Sequence, residues 1–428
     1  MKYSIDTYRL YLKEKQFHYS MRLRVKMRDE VDPIVLRKSV NEAIKRYPYF
    51  AVKVSLDEYG GFTLLPNDAE IAVLPVEGKT KDLGSKEVNY HLCFIEYEEQ
   101  VIYFNMSHSL CGGKGVQPWV MTSVYQYVKN KYGIEPDAPG IRKPGEKLLE
   151  GEDTEPTLDM LLDEKPIYEG KSKGPYVPYF DYINGMFNPF MRYHCYRFYA
   201  FKQEDIVSFI KKNDSSVQSF FAVIVGKMFD RVLNLKHPVI GLKISHNPCG
   251  SIGLPNSHSD FLTAIYIDYE REQLKGDMKM LGTMTRSQIM IQSDPTVSSS
   301  QLRKLFNFYG EIDKIKGLKE KMEYATKHNL SSGKEARKHT YMCNYSGRAE
   351  WGEVADYIED YVAIVEGNII CEVTSLNDRL FLMLPQVIRT DKYAHALSEV
   401  LRDLSIPFTV SGPFEKRLPK HVLPSIAS

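Results

Sequence analysis

Val101-Ile-Tyr-Phe-Asn-Met-Ser-His108-Ser-Leu-Cys-Gly112-Gly113-Lys-Gly115 is an alternating apolar segment that runs into a single histidine and then a glycine-rich turn. Ile102, Phe104 and Met106 fall on one face at period two, and Tyr103, Asn105 and Ser107 on the other, which is the pattern of a strand between two environments. After the turn Val116, Val120, Val124 and Val128 recur every four residues and predict a helix with one buried stripe. An imidazole titrates near neutrality and glycine lets a ligand approach the main chain, so His108 is a candidate general base. The same pattern also describes a structural histidine bonded to backbone, and local chemistry alone favours that plainer reading.

Outward from this stretch, strands are expected near 19–27, 51–55, 62–65 and 92–97, with a helix capped by Asp32 and begun by Pro33. Residues 136–178 are rich in Pro, Gly, Glu and Lys and read as a linker or long exposed crossing. Beyond it come a strand near 193–200, helices with apolar stripes through Ile206, Phe209 and Ile210 and through Val217 to Met228, and strands near 239–245 and 261–269. These stripes read as core. The lysines of 314–338, Lys314, Lys316, Lys319, Lys321 and Lys327 among them, read as a solvated helix face.

Composition narrows the function. The 428 residues are 43% hydrophobic and 26% charged, enough for two lobes that each bury a core. With 56 Lys and Arg against 55 Asp and Glu, nothing points to nucleic acid. No signal peptide and no apolar run of bilayer length is evident, so a cytoplasmic location is expected. The cysteines at 93, 111, 195, 249, 343 and 371 show no Cys-x-x-Cys or Cys/His clustering, which suggests neither a metal site nor a disulfide framework. Cys111, inside the turn, reads as a small packing residue sooner than as a nucleophile. Gly112–Gly115 fails the phosphate-loop pattern, because Lys114 is followed by glycine and not by Ser or Thr.

The His108 turn resembles the His-x-x-x-Asp-Gly motif of the superfamily that holds chloramphenicol acetyltransferase, alcohol acetyltransferases and peptide-synthetase condensation domains. Asp32-Pro33, Leu36, Val40, Ala43, Ile44 and then Arg46-Tyr-Pro-Tyr-Phe50 are similar to that family's first helix and its R-x-P-x-F segment. Asn344-Tyr-Ser-Gly347-Arg348 is similar to its SNLG strand end, and 375–380 to a late strand before the closing helix. Four such segments in family order carry more weight than one short motif. The resemblance, closest to the bacterial alcohol acetyltransferase-like proteins, implies an α/β fold of two similar mixed-sheet lobes with a channel between them, residues 1–165 and 176–428. It further implies His108 as general base, the N–H of Gly113 or Gly112 as oxyanion donor, and Ser107, Cys111, Gly112, Asn247, Asn256, Asp260, Asn344 and Gly347 along the channel. Asn247, Asn256 and Asp260 also read simply as polar turn residues.

The implied reaction takes an acyl group, acetyl or short acyl, from coenzyme A thioester as cosubstrate to a small-molecule alcohol or amine, with no metal or redox cofactor. A carrier-protein thioester is the alternative donor, and an inactive relative that only binds is the alternative outside catalysis. Position 112 departs from the family, with glycine where the motif has aspartate, and the segment Ile244-Ser-His-Asn-Pro-Cys-Gly250 lacks the arginine that pairs with it. The expectation is that both members of a buried ion pair are lost together, which costs less than losing one. Arg348 is the first cation to examine near position 112.

Overall fold

The structure, a computed structural model, describes residues 5–12, 19–174, 192–233, 238–328, 339–365 and 370–423. Its first sheet runs in the order β11 (Ile358–Val365), β1 (Ser20–Met27), β6 (Val101–Ser107), β5 (Cys93–Glu98), β4 (Val73–Pro75). The quoted segment is therefore a central strand, antiparallel to β1 on one side and β5 on the other. Ile102, Phe104 and Met106 enter the core beneath the helices Pro33–Ala43 and Gly113–Tyr132, with all four valines of the second helix fully buried. Asp32 caps the first of these helices as its position before Pro33 predicts, accepting from the Ile34 and Val35 amides at 2.9 and 3.0 Å.

Of the polar alternate positions of β6, Asn105 and Ser107 are buried and Tyr103 is half-buried. Arg22 on β1 ion-pairs with Glu96, bonds Asn105 at 3.1 Å and lies 3.8 Å from the centre of the Tyr103 ring. Next along β1, Arg24 pairs with Asp360 of β11 and lies over Phe198 and Phe414. β11 lies in the far half of the chain yet completes this sheet, so the pair clamps a strand lent from there.

The second sheet runs β14 (Thr409–Glu415), β7 (Arg192–Lys202), β13 (Arg379–Ile388), β12 (Ile370–Leu376), β10 (Tyr341–Tyr345), β8 (Val239–His246), β9 (Thr263–Glu270). A hairpin of β2 (Val52–Leu56) and β3 (Phe62–Pro66) stands apart. One face of the seven-stranded sheet packs against the helices Val217–Val232, Met278–Gln292 and Lys392–Asp403 through Phe221, Val225, Leu281 and Leu397. On the other face Tyr196, Phe198, Leu376, Phe381 and Met383 join the first lobe's core. Toward β8 and β9 that face turns polar and partly open, carrying Lys243, Tyr266, Asn344 and Glu372.

Two expectations change. The 136–178 crossing is not wholly exposed: Ala138, Ile141 and Leu161 are buried, and Glu152 is buried as a carboxylate. In the lysine-rich helix Leu318–His328, Lys321 is buried with its ammonium bonded to the Ile312 carbonyl at 2.8 Å. Residues 175–178 and 329–338 of those stretches lie outside the described residues. Among the described residues no helix is long and apolar enough to cross a membrane.

The Arg24–Asp360 pair gives a direct test of the lent strand. Arg24→Met leaves an uncompensated buried carboxylate and should cost about 3–5 kcal/mol in denaturant unfolding, whereas Arg24→Met with Asp360→Leu should recover most of that loss.

Candidate active site

β6 ends at Ser107, and the next residue, His108, donates its amide to the Tyr19 carbonyl at 2.7 Å just before β1 begins. This fixes the imidazole at the sheet's end, with the ring 21% exposed. Asp260, from the loop joining β8 to β9, brings Oδ2 to 3.3 Å from His108 Nδ1 and to 2.7 Å from the guanidinium of Arg9. The Asp260 side chain is 1% exposed. Arg9 and Asp6 come from the short 3-10 helix Ile5–Leu12, and Asp6 Oδ1 accepts the Asp260 amide at 2.9 Å.

The two carboxyls are driven apart electrostatically. Burial raises the Asp260 pKa, but the Arg9 charge and the His108 contact outweigh it, so this carboxyl is held below its usual range and ionised. Burial and the nearby Asp260 charge push the Asp6 pKa well above its usual range, which favours its protonated form. Asp260 Oδ2 faces Nδ1 in an ion-pair contact, and a carboxylate there favours the tautomer with its proton on Nδ1 and its lone pair on Nε2.

The expected loss of both partners of the motif's ion pair is therefore corrected. A carboxylate and an arginine are present, drawn from Asp260 and Arg9, and a Cβ built on Gly112 would stand 3.2 Å from Asp260 Oδ1. Glycine at 112 makes room for a carboxylate delivered from the other lobe's loop. Arg348 is not that cation, since it is two-thirds exposed beside Glu350.

The loop that carries Asp260 is pinned to the first lobe. A Cβ at Gly115 would come within 2.2 Å of the His258 carbonyl oxygen, so only glycine permits this approach. Buried Arg46 grips Glu152 through two hydrogen bonds of 2.9 and 2.8 Å, and the Tyr49 hydroxyl lies 2.8 Å from Glu152 and 2.7 Å from His258 Nδ1. Burial lowers the His258 pKa to about 4 despite the Glu152 charge.

Of the residues expected at the site, His108, Ser107, Cys111, Gly112, Gly113 and Asp260 come together here. Gly113 is exposed and opens the helix Gly113–Tyr132, where first-turn amides have no intrahelical acceptor, so its N–H is presented beside the turn. Ser107 is buried, 2.5 Å from the Ser109 hydroxyl and 2.6 Å from His421 Nε2. Cys111 is buried against Met106 sulfur at 3.2 Å, and burial raises its thiol pKa well above the usual value, which suits packing and not nucleophilic attack. Asn247 and Asn256 bond backbone, to the Cys249 amide at 2.9 Å and the Glu150 carbonyl at 3.0 Å. Asn344 bridges strands, accepting from the Ser245 amide and donating to Glu372. Gly347 forms a turn at φ 91°, its carbonyl accepting from Ser375.

Arg9, Asp6, Glu152, His258 and His421 were not singled out from sequence. Only Arg46, inside its Arg-Tyr-Pro-Tyr-Phe segment, carried a signal. Among the described residues no group of three or more His, Cys, Asp and Glu is placed to hold a metal ion.

No protein-family model and no curated protein sequence matches the chain. Solved structures do. Fusarium graminearum TRI101 complexed with coenzyme A and deoxynivalenol superimposes with a TM-score of 0.60 at 8% identity, covering 94% of this chain and 98% of that one. TRI3 trichothecene 15-O-acetyltransferase from Fusarium sporotrichioides gives 0.55 at 12% identity, covering 94% and 93%. The first condensation domain of the calcium-dependent antibiotic synthetase gives 0.57 at 8% identity, covering 95% of each chain. The chain has the chloramphenicol acetyltransferase-like fold. Position 112 is glycine, and the carboxylate that stands beside it is that of Asp260.

Two measurements probe this arrangement. Gly112→Asp sets a second carboxylate against Asp260 with Arg9 already engaged, and should lower the melting temperature without raising any activity. His258 binds its proton less readily folded (about 4) than unfolded (about 6.5), so its stability contribution is whole above that upper value and lost as pH falls toward the lower one. The melting temperature should drop across this window, and His258→Phe should flatten the drop.

Proposed function

We propose that the protein transfers an acyl group from a coenzyme A thioester to a hydroxyl or amine, with His108 as general base. The observation that carries this reading is Asp260 Oδ2 at 3.3 Å from His108 Nδ1, which orients the ring and leaves Nε2 for the acceptor's proton. As the acceptor attacks the thioester carbonyl, His108 takes its proton. The carbonyl oxygen gains charge beside the Gly113 N–H, and collapse of the tetrahedral intermediate expels the thiolate, which takes the proton back. Asp260 stabilises the imidazolium formed in between, and Arg9 keeps Asp260 ionised. Coenzyme A in a TRI101 structure supports the donor class. For the lobes we take 1–165 and 176–428, with β11 lent by the second to the first.

The condensation-domain likeness favours one second reading, a donor thioester on a carrier protein's phosphopantetheine arm. The same histidine would serve it. Short acyl-CoAs and an acyl-loaded carrier protein, offered in parallel with alcohol and amine acceptors, separate the two donors.

His108→Ala should lower thiol release by about 10²–10⁴ while the melting curve stays that of the parent. An unchanged rate in the folded variant removes the mechanism.

A further inference from the structure

Glu372 stands on β12 between Cys371 and Val373, both of which point into the helix-side core. By alternation its side chain lies on the opposite face of the seven-stranded sheet, and its cross-strand neighbour Met383 packs into the core shared with the first lobe. Glu372 thus sits where that interface core ends and the polar, partly open part of the face begins. Asn344, its partner on β10, donates Nδ2 to Glu372 Oε1 at 2.7 Å and is itself fixed by the Ser245 amide at 2.8 Å. No lysine, arginine or histidine among the described residues pairs with the carboxyl. Burial raises its pKa to about 7, against the Asn344 hydrogen bond that lowers it. The residue is partly exposed, so a carboxyl held in one orientation at the edge of an apolar core, with no cation beside it, is open to a charged group that completes it.

We propose that Glu372, oriented by Asn344, is the subsite for a protonated amine on the acyl acceptor, so that the acceptor carries an ammonium group besides the hydroxyl or amine that is acylated. This rests on the acyl-transfer reading for the word acceptor, but the site itself is a binding site. An ammonium donates to Glu372 Oε2 and restores charge balance on the face, whereas a neutral group of the same shape leaves the carboxyl uncompensated.

The test is binding, so that it does not depend on turnover. Calorimetric titration at pH 8 compares ammonium probes with hydroxyl probes of matched shape, tyramine with tyrosol and hexylamine with hexanol, on the parent, Glu372→Gln and Glu372→Met. The parent should bind the ammonium member of each pair about tenfold or more tightly, the scale of a charge-assisted hydrogen bond. Both variants should lose that preference while His108→Ala keeps it. A parent that binds neither member, or both equally, overturns the proposal without reference to any variant's folding, and so does a preference that survives in folded Glu372→Gln. Failure of the acyl-transfer reading has a different signature: no thiol release from any donor, with amine preference intact.

Discussion

Everything at the candidate centre depends on one buried carboxylate. Asp260 is taken almost wholly out of water, a position that an isolated charge occupies only at a cost of several kcal/mol (about 3–5) unless it is paired and hydrogen-bonded. Arg9 supplies the charge, His108 Nδ1 faces the same oxygen, and Asp6 accepts the backbone amide. That carboxylate is the ionic contact shared by three separate segments: residues 5–12, the β6 turn and the β8–β9 loop. The pair therefore joins the segments of the site and faces its histidine with a carboxylate in a single interaction.

The surrounding packing serves the same end. The Arg46–Glu152 bond, shared with Tyr49 and His258, ties the first helix, the crossing segment and the Asp260 loop into one buried cluster. Gly115 lets the His258 carbonyl dock against the first turn of the helix whose start presents Gly113. The strand β11 completes the first lobe's sheet from the far half of the chain, and Tyr196, Phe198, Leu376, Phe381 and Met383 extend one core across both lobes. Two lobes held together this firmly keep the side chains around His108 in place. The polar stretch carrying Lys243, Asn344 and Glu372 is a part of that shared face that is half-buried among the described residues.

Much of the architecture was legible because it rests on local periodicity. Period-two alternation placed β1, β5, β6, β7, β8 and β9 within one or two residues, a four-residue valine repeat placed the long helix, and Asp32-Pro33 placed a helix start. Alternation cannot say what lies opposite a strand's polar face. Tyr103 and Asn105 mark only a second environment in the sequence, and the structure fills it with a buried Arg22–Glu96 network. Lys321 and Glu152 misled for the same reason: a charged residue reads as exposed until a distant partner or carbonyl is known to meet it.

At the site, the sequence by itself determined the histidine, the glycines that follow it and the helix they open, because those features are contiguous and obey local backbone rules. It also determined that position 112 has no carboxylate. Only the tertiary structure decided that a carboxylate is there nonetheless, since Asp260 lies 148 positions beyond Gly112 by the numbering and Arg9 near the opposite end. Buried charge must be neutralised in space and not along the chain, so any segment that the fold delivers to the right place can supply either partner.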